Sequence, residues 1–533
     1  MNPQRQCHCA DASGSRPDVS PSVVALAYRE LPIAWPRLTT SEPGEDNRCL
    51  HRWSVTRSAS RESPRVSASD ASADAPSAVS DAPGSLTRHV LALALPALGE
   101  QALNYAVGLF DTWLAGRPSL VAESSGTATS AVGLAAYVSW LASLIFALIG
   151  TGTTALISRA YGADDRALLS RVLNVSLAWA GIVGLVVAGG QYALAPFLAD
   201  LQNLHGVGRD IGIHYLRVDA VGEFFFAFCL VGTAAFRGVG DMRTPMLVLG
   251  CVNLVNMIVS PALVFGWFGT PWGAEGIAGG TVVARILGGL LVLSVLFFGH
   301  RDLALRFPEW RLKSPETLRI LRIGLPALID GILMWCGHFA FFMIVSRLGG
   351  GASPDANRAA HIIGVQVEGL TYLPASAWGY AAMALIGQAL GAGQPDRAMR
   401  VAQTAVRHGM CLAFAAAVFY AVASPWLYAA LTDDVTVRTV GVPALRVLAV
   451  YQIPLSAMII YIFSMRGAGD TRGPLVINLV GIFGIRLPLG YLFGITLDGG
   501  LIGVWTAMSI DVSVRYVVAW RYFATGRSLV THV

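Results

Sequence analysis

The residues best suited to chemistry in this chain are ionisable side chains inside long apolar stretches. Asp111, Glu100, Asp330 and Glu368 are carboxylic acids in such stretches, and His338 is a base. An ionisable group near the centre of a bilayer costs about 2.5–3.5 kcal/mol on insertion scales, so each needs a structural or functional reason. Further charged residues in stretches of the same kind are Asp219, Glu223, Arg285, Arg486 and Asp511.

Asp111 has the clearest candidate chemistry, which is the binding and release of a proton. Removal from water disfavours the charged form of a carboxyl group, so an acid inside an apolar bundle favours proton uptake. Asp111 lies near the end of its apolar stretch, so a location at the membrane interface is the alternative. Glu100 lies about three turns earlier on the same stretch and is a candidate to assist it.

Four polar residues are candidates for the lining of a substrate cavity: Asp330, Glu368, His338 and Gln388. A carboxylate that faces a cavity attracts cations, although Glu368 could instead be the structural partner of an arginine. For His338 the alternative to a proton relay is packing or a hydrogen bond. Asp511 and Arg515 are four residues apart, which predicts an ion pair on one helix.

A duplicated sequence unit positions these residues. The stretch 237–243, Arg-Gly-Val-Gly-Asp-Met-Arg, returns at 466–472 as Arg-Gly-Ala-Gly-Asp-Thr-Arg. Leu-Pro-Ala-Leu at 95–98 returns at 325–328, which places Asp330 opposite Glu100 in the two copies. We therefore expect these two acids at matching depth, facing each other across a pseudo-twofold axis.

The repeated stretches are predicted to be structural turns. Glycine permits a tight turn, and the aspartates can pair with flanking arginines. The residues concerned are Arg237, Asp241, Arg466 and Asp470. A phosphate or dinucleotide site is not predicted, because no strand precedes them and no Gly-x-Gly-x-x-Gly is present.

The composition indicates a membrane protein with many spans. The chain is 54% hydrophobic, only 13% of its residues are charged, and its mean hydropathy is +0.57, whereas about 25% charged residues is usual. The net charge of +5 is explained by basic loops, so no nucleic-acid partner is predicted. Cys7-His8-Cys9 lacks a second ligand pair, so no metal site is predicted either.

Twelve apolar stretches are long enough to cross about 30 Å of hydrocarbon. Their approximate bounds are 88–115, 130–157, 172–196, 211–236, 245–268, 276–299, 317–348, 359–388, 402–430, 440–465, 474–495 and 500–522. The sequence therefore predicts an all-α integral membrane protein of twelve transmembrane helices in two parallel six-helix repeats.

The remaining segments complete the predicted organisation. Residues 1–85 are rich in Ser, Ala, Pro, Arg and Asp and are predicted to be disordered. One bundle is expected over 86–300, a basic cytoplasmic linker over 301–316, and a second bundle over 317–533. Arginine is about three times as frequent in one set of loops as in the other, which predicts that both termini are cytoplasmic.

From about Leu91 to Tyr522 the chain resembles the MATE family, the multidrug and toxic compound extrusion transporters. The resemblance rests on Leu95-Pro96, Gly-Leu-Phe-Asp-Thr at 108–112, the loops 158–163 and 387–393, the repeated turns, and Arg-Leu-Pro-Leu at 486–489. It implies a V-shaped pair of six-helix bundles in a bacterial inner membrane. It also implies extrusion of small cationic or amphiphilic substrates in exchange for H⁺ or Na⁺, with no other cofactor, by a protein expected to be a monomer.

The resemblance also suggests roles for individual residues. Asp111 matches the first-helix Asp to which many members assign proton coupling, and Asn256 matches the Asn of a fifth-helix Asn-x-x-x-Asp-Pro pattern. Ser260 stands where that pattern has Asp, which weakens transfer of a two-carboxylate mechanism and makes Glu100 a candidate for the missing acid. Met334 stands where some Na⁺-coupled members carry Glu, which favours protons.

Two other functions remain open from the sequence. A lipid-linked flippase of the wider MOP superfamily would be expected to have a more basic cavity, and Arg285 and Arg486 keep that alternative open. An integral membrane enzyme would need a catalytic motif. The sequence has no His-Glu-x-x-His, no Gly-x-Ser-x-Gly and no nucleotide-binding loop, so no catalytic residues are predicted.

Overall fold

The structure is a computed structural model, and it is helical almost throughout the part of the chain that it describes. The described residues are 83–115, 125–201, 205–267, 269–306, 314–349 and 353–530. The predicted disordered tail up to residue 82, including Cys7-His8-Cys9, and residues 307–313 of the predicted linker lie outside them. The predicted boundaries between tail, bundles and linker therefore stay predictions.

The first half of the chain forms six long helices, here called the N-lobe. They are α1 (Pro83–Ala115), α2 (Ser125–Gly162), α3 (Arg166–Leu201), α4 (Val207–Gly238), α5 (Arg243–Val264) and α6 (Ala274–Phe298). Each covers one predicted apolar stretch. Helices satisfy every interior backbone hydrogen bond within the segment, which is what a hydrocarbon environment requires.

The second half forms the C-lobe, in which two of the six segments are irregular. The helices are α7 (Pro315–Val345), α8 (Pro354–Gly391), α9 (Pro395–Leu431), α10 (Val435–Val450), α11 (Gln452–Gly467), α12 (Arg472–Leu479), α13 (Leu487–Tyr491) and α14 (Gly500–Ala524). Helices α10 and α11 meet at Tyr451 with a bend of 54°. The eleventh predicted stretch, from α12 through α13, includes π-helical turns at Val480–Arg486 and Leu492–Thr496.

These helices account for the twelve predicted stretches. Ten of the described helical segments are long and apolar enough to cross a membrane, and the bent α10–α11 pair would be an eleventh. The remaining long segment is the 38-residue α8, whose polar residues include Gln366, Glu368 and Gln388. Among the described residues the extended structure is confined to one isolated bridge between His300 and Leu303. The all-helical membrane fold predicted from the sequence is confirmed.

Each lobe has its own tightly packed interior. Phe146 and Phe236 are fully buried in the N-lobe, and Trp505, Tyr420 and Tyr428 are fully buried in the C-lobe. Buried tyrosines need partners for their hydroxyl groups. Tyr420 donates to the carbonyl oxygen of Val367 at 2.9 Å and Tyr428 to that of Ala360 at 2.7 Å, which joins α9 to α8.

The two lobes meet along a few helices. α1 packs against α8, and α2 packs against both α7 and α8. We call the end of the molecule that carries the α4–α5 and α11–α12 connections the turn end. It is the end that the loop arginines predict to face the cytoplasm.

Candidate functional site

Arg285 of α6 is the centre of a buried charge cluster in the N-lobe. Its Nη1 donates to Asp219 Oδ1 and to Glu223 Oε1, both at 2.9 Å. Asp219 and Glu223 are one turn apart on α4, so both reach the same guanidinium. The guanidinium also lies 4.8 Å from the centre of the Phe226 ring, so the cluster is bounded by apolar surface.

The two carboxylates of this cluster differ in how many of their oxygen atoms accept hydrogen bonds. Asp219 Oδ2 accepts from Ser139 Oγ at 3.1 Å and from Gln191 Nε2 at 3.0 Å. Glu223 is fully buried, and its Oε2 has no hydrogen-bond partner. A buried charged oxygen without a donor is unfavourable. Glu223 therefore has the free position at which a proton would satisfy the group.

Asp111 of α1 belongs to the same electrostatic environment. It lies within electrostatic range of the Arg285 guanidinium and of Tyr215 on α4, and its Oδ1 is buried without a hydrogen-bond partner. Asp219 and Glu223 thus bind one guanidinium directly, and Asp111 is a third acid within range of its charge. An excess of carboxylates over cations in an apolar lobe is the arrangement that can bind and release a proton.

Asn256 and Ser260 lie nearby on α5, at the seam with α6. Asn256 Nδ2 donates to Thr281 Oγ1 at 3.0 Å, while Asn256 Oδ1 and Ser260 Oγ are buried without partners. Ser260 is tightly enclosed, because a Cβ atom at Gly280 would lie 2.1 Å from its Oγ. The backbone of α6 at Gly280 therefore packs directly against Ser260.

The structure places Glu100 away from this cluster. It lies eleven residues before Asp111, which is about 16 Å along a helix. Its Oε1 instead accepts from Arg237 Nη2 at 2.5 Å. The hypothesis that Glu100 supplies the missing acid beside Asp111 therefore has no geometric support.

Asp330 has the equivalent partner in the C-lobe. Its Oδ2 accepts from Arg466 Nη2 at 2.7 Å, and its Oδ1 accepts from Asn478 Nδ2 at 2.8 Å. Its side chain is only 1% exposed. Glu100 and Asp330 thus occupy matching positions, in which each acid holds the turn arginine of its own lobe. That they face each other across the axis stays a prediction.

A charged network continues from Asp330 through the C-lobe. Arg515 Nη1 donates to Asn478 Oδ1 at 3.0 Å, and its Nε and Nη2 donate to Asp511 at 2.9 and 2.6 Å. The ion pair predicted from the four-residue spacing is thus confirmed. Arg486 Nε also donates to Asp511, at 2.8 Å, so two arginines share one carboxylate.

His338 lies at the end of this network. Its Nδ1 is 2.6 Å from the carbonyl oxygen of Met334, one turn earlier on α7, so Nδ1 must carry a proton and donate. In the neutral ring, Nε2 is then an acceptor, and Arg486 Nη1 lies 3.5 Å from it. The geometry therefore fits a hydrogen-bonding role for His338.

The other two predicted cavity residues lie apart from each other. Glu368 of α8 accepts from the Tyr451 hydroxyl at 2.7 Å, at the bend between α10 and α11. Its partner is therefore a tyrosine and not an arginine. Gln388, near the end of α8, donates from Nε2 to the carbonyl oxygen of Gly238 at 3.1 Å. It thus lies at the turn end, between the lobes.

The two repeated turns have the same geometry. Gly240 and Gly469 have φ values of +81° and +83°, which glycine adopts without strain. Asp241 Oδ1 accepts from the amides of Arg243 and Thr244 at 3.0 and 3.1 Å. In the second turn, Asp470 accepts from the Gly473 amide and the Tyr522 hydroxyl, both at 2.9 Å. The described contacts of these aspartates are thus not with flanking arginine side chains.

Asp241 lies outside the membrane-spanning helices, between α4 and α5. Burial raises the pKa of its carboxyl group, but hydrogen bonds from Thr244 and Arg243 and the charge of His300 outweigh that effect. The net result is a pKa below the usual value. The ionised form of Asp241 is therefore part of the folded turn.

Sequence reasoning named Asp219, Glu223 and Arg285 as intramembrane charges but did not group them. The available signal was the four-residue spacing of the two acids, which puts them on one face of α4. Their contact with α6 depends on packing between helices that are far apart in sequence. Spacing alone could not supply that contact.

A family model named MatE matches two segments of the chain, residues 96–262 and 326–492. Together they cover more than half of the sequence, and the second segment is displaced from the first by the length of the internal repeat.

Individual relatives agree with this match. The chain is 28% identical over 457 residues to "Probable multidrug resistance protein NorM" of Thermotoga maritima, covering 83% of this chain and 93% of that one. It is 26% identical over 426 residues to "Multidrug resistance protein MdtK" of Edwardsiella ictaluri, covering 77% and 88%. A crystal structure of MATE in the straight conformation superposes with a TM-score of 0.76 at 21% identity, covering 83% and 96%.

Proposed function

The chain belongs to the MatE family of MATE transporters, and on this premise we propose that it is a secondary antiporter that exports organic cations or related amphiphiles in exchange for protons. Members of this family are transporters and not enzymes, and the long apolar helices make the chain a multi-pass membrane protein.

The observation that carries the proposal is the N-lobe cluster, in which Asp219 and Glu223 share Arg285 and Asp111 lies within range of the same charge. Uptake of a proton from outside would neutralise one of these acids. That removes a charge from an apolar environment and so favours a different packing of the lobe. The resulting bias between two conformations is limited to the difference in their proton affinities.

The cargo is inferred from the relatives and from the polarity of the interior. The Thermotoga and Edwardsiella relatives are named as multidrug resistance proteins, which supports export of small xenobiotics. An excess of carboxylates in the N-lobe and Glu368 in the C-lobe supports cationic cargo. We further propose that the protein acts as a monomer in the bacterial inner membrane with both termini cytoplasmic.

Reconstitution into liposomes tests the proposal. The purified protein would be supplied with a fluorescent organic cation, first under a pH gradient and then under a Na⁺ gradient of equal size. We expect transport against the cation's own gradient when protons drive it. Transport driven only by Na⁺ would refute proton coupling, and no transport under either gradient would refute antiport of such cargo.

One observation favours a second candidate, a flippase for anionic or lipid-linked cargo. Arg486 and Arg515 share the single carboxylate of Asp511, so the C-lobe interior has a locally basic site. Competition in the same liposomes separates the two functions. Inhibition of cation efflux by other cations supports the antiporter, whereas inhibition confined to anionic amphiphiles supports the flippase.

A further inference from the structure

Several side chains cross between the lobes at the turn end. Arg171 of α3 pairs with Glu316 of α7 at 3.1 Å, and two further donors, on α2 and α8, reach the repeated turns. Arg159 of α2 donates from Nη2 to the carbonyl oxygen of Ala468 at 2.8 Å. Gln388 of α8 donates from Nε2 to the carbonyl oxygen of Gly238 at 3.1 Å. The two donors occupy equivalent positions of the sequence repeat, as do the two turns that accept them. Each lobe therefore reaches into the repeated turn of the other.

Both acceptors are at the C-terminal end of a helix. Gly238 is the last residue of α4, and Ala468 follows the last residue of α11. Carbonyl groups at this end have no partner within the helix, and the helix dipole makes the site negative. A donor from the opposite lobe satisfies such a carbonyl. In the case of Arg159, a positive charge is placed at the negative end of α11.

The backbones of α2 and α8 also approach each other symmetrically at this point. A Cβ atom at Gly162 would lie 2.0 Å from the carbonyl oxygen of Gln388, and one at Gly391 would lie 2.1 Å from that of Arg159. No side chain fits at either position unless the helices move apart. The close approach thus holds the two donors within reach of their acceptors.

Aromatic contacts extend the same junction. The Arg237 guanidinium, which Glu100 holds, lies 4.9 Å from the ring centre of Tyr380 on α8. Tyr380 in turn contacts Phe463 of α11 edge to face, with 4.8 Å between ring centres. The first turn is therefore packed against the opposite lobe as well as hydrogen-bonded to it.

We propose that Arg159 and Gln388 are positioning residues of the transport cycle, and that their two bonds form a latch that keeps the turn end closed. The inference rests on the proposed antiport in one respect: the lobes must alternate between a state with the turn end closed and a state with it open. Both bonds end on backbone carbonyls, which water can satisfy when the lobes separate. Opening the latch itself therefore exchanges two protein hydrogen bonds for hydrogen bonds to water, so the latch favours the closed state without fixing it.

The test is a distance measurement between the lobes at the turn end. Spin labels would be attached at positions 164 and 396, which are exposed residues of the α2–α3 connection and the start of α9, in a background without the seven native cysteines. The variants are Arg159→Met, Gln388→Leu and both together. Each removes the donor but keeps the apolar stem, so packing is preserved.

We expect one short distance in the unaltered protein and a second, longer population in each single variant. The longer population should become the major one in the double variant. The control is Arg319→Ala, which removes an exposed arginine at the start of α7 and should leave the distances unchanged. A double variant with the same distances as the unaltered protein would overturn the latch.

A second variant tests the junction without touching the donors. Gly391→Ala should force α2 and α8 apart and produce the longer distance. Gly189→Ala, on α3 with no atom within 4 Å of the added methyl group, should not. Unchanged distances in Gly391→Ala would also count against the latch. None of these distances requires transport, so a failure of the proposed function in liposomes would be seen separately.

Discussion

At the scale of single residues, the N-lobe site is governed by the ratio of acids to bases. Arg285 is the cation that holds Asp219 and Glu223 together, and Ser139 and Gln191 complete the shell of Asp219. Glu223 has one oxygen that no donor reaches. This oxygen is buried from water, so a proton bound there would neutralise an otherwise unpartnered charge.

Removal of Arg285 should destabilise the protein strongly. Loss of one partner from a buried ion pair costs about 3–5 kcal/mol, because the remaining charges stay buried. We expect Arg285→Gln to lower the melting temperature in detergent. Adding Glu223→Gln should restore part of the loss, since it removes one of the uncompensated charges. A double variant less stable than Arg285→Gln would show that the cluster is not held by this charge balance.

Ion pairs within one helix could be predicted from the sequence, whereas ion pairs between helices could not be predicted from spacing alone. The Asp511–Arg515 pair was predicted correctly because both residues lie on one helix, four positions apart. Glu100 was assigned to Asp111 because they share a helix, but its partner Arg237 comes from α4. The repeat carried a usable signal, since an acid and an arginine recur together at 100 and 237 and at 330 and 466.

At the scale of elements, the repeated turns are built by capping. The Asp241 carboxylate accepts the first free amides of α5 and also the Thr244 hydroxyl, at 2.6 Å from Oδ2. Loss of an N-terminal cap costs about 0.5–2 kcal/mol. The aspartate thus determines where α5 begins.

This cap should give stability a dependence on pH. Because the pKa of Asp241 is lower in the folded protein, its contribution is present above the unfolded value of about 3.9 and is lost as pH falls through the folded value. We expect Asp241→Asn to lower the melting temperature at neutral pH, and the difference from the unaltered protein to shrink below about pH 4. Asp164→Asn, in an exposed turn, is the control. A difference that grows towards low pH would contradict this account.

The π-helical turn at Val480–Arg486 has a packing requirement of its own. A Cβ atom at Gly481 would lie 2.2 Å from Arg515 Cδ and 2.6 Å from Asp511 Oδ1. Gly481→Ala should therefore displace the Arg515–Asp511 pair and cost about 1–3 kcal/mol. Gly484→Ala in the same turn has its nearest atom at 3.8 Å and should be tolerated. Equal melting temperatures for the two variants would refute the close packing.

The elements themselves were the most predictable part of the structure. Each apolar stretch is helical, as one helix or as consecutive helical segments, because the need to satisfy backbone hydrogen bonds in hydrocarbon is local. The bend at Tyr451 and the π-helical turns were not predicted. Pro454 and Pro488 lie just after the bend and the first π-helical turn, and proline removes the helical hydrogen bond to the residue four positions earlier. This local signal is not part of the apolar pattern from which the helices were predicted.

At the scale of the whole molecule, the two lobes share the same turns and ion pairs at the turn end but differ in the charged residues of their interiors. The turns, the pairs Glu100–Arg237 and Asp330–Arg466, and the crossing donors Arg159 and Gln388 all occur at matching positions of the two copies. The lobe interiors differ, because the positions 229 residues after Asp219 and Glu223 are Leu448 and Gln452. The acids that could bind protons are therefore concentrated in the N-lobe.

The most direct test of proton coupling in the N-lobe compares Asp111→Asn with Asp210→Asn in liposomes. Asp111 lies beside the charge cluster, whereas Asp210 is an exposed acid in the first turn of α4. With a fluorescent cation and an imposed pH gradient, we predict that Asp111→Asn loses proton-driven accumulation while Asp210→Asn keeps it. Accumulation by Asp111→Asn equal to that of the unaltered protein would contradict the account.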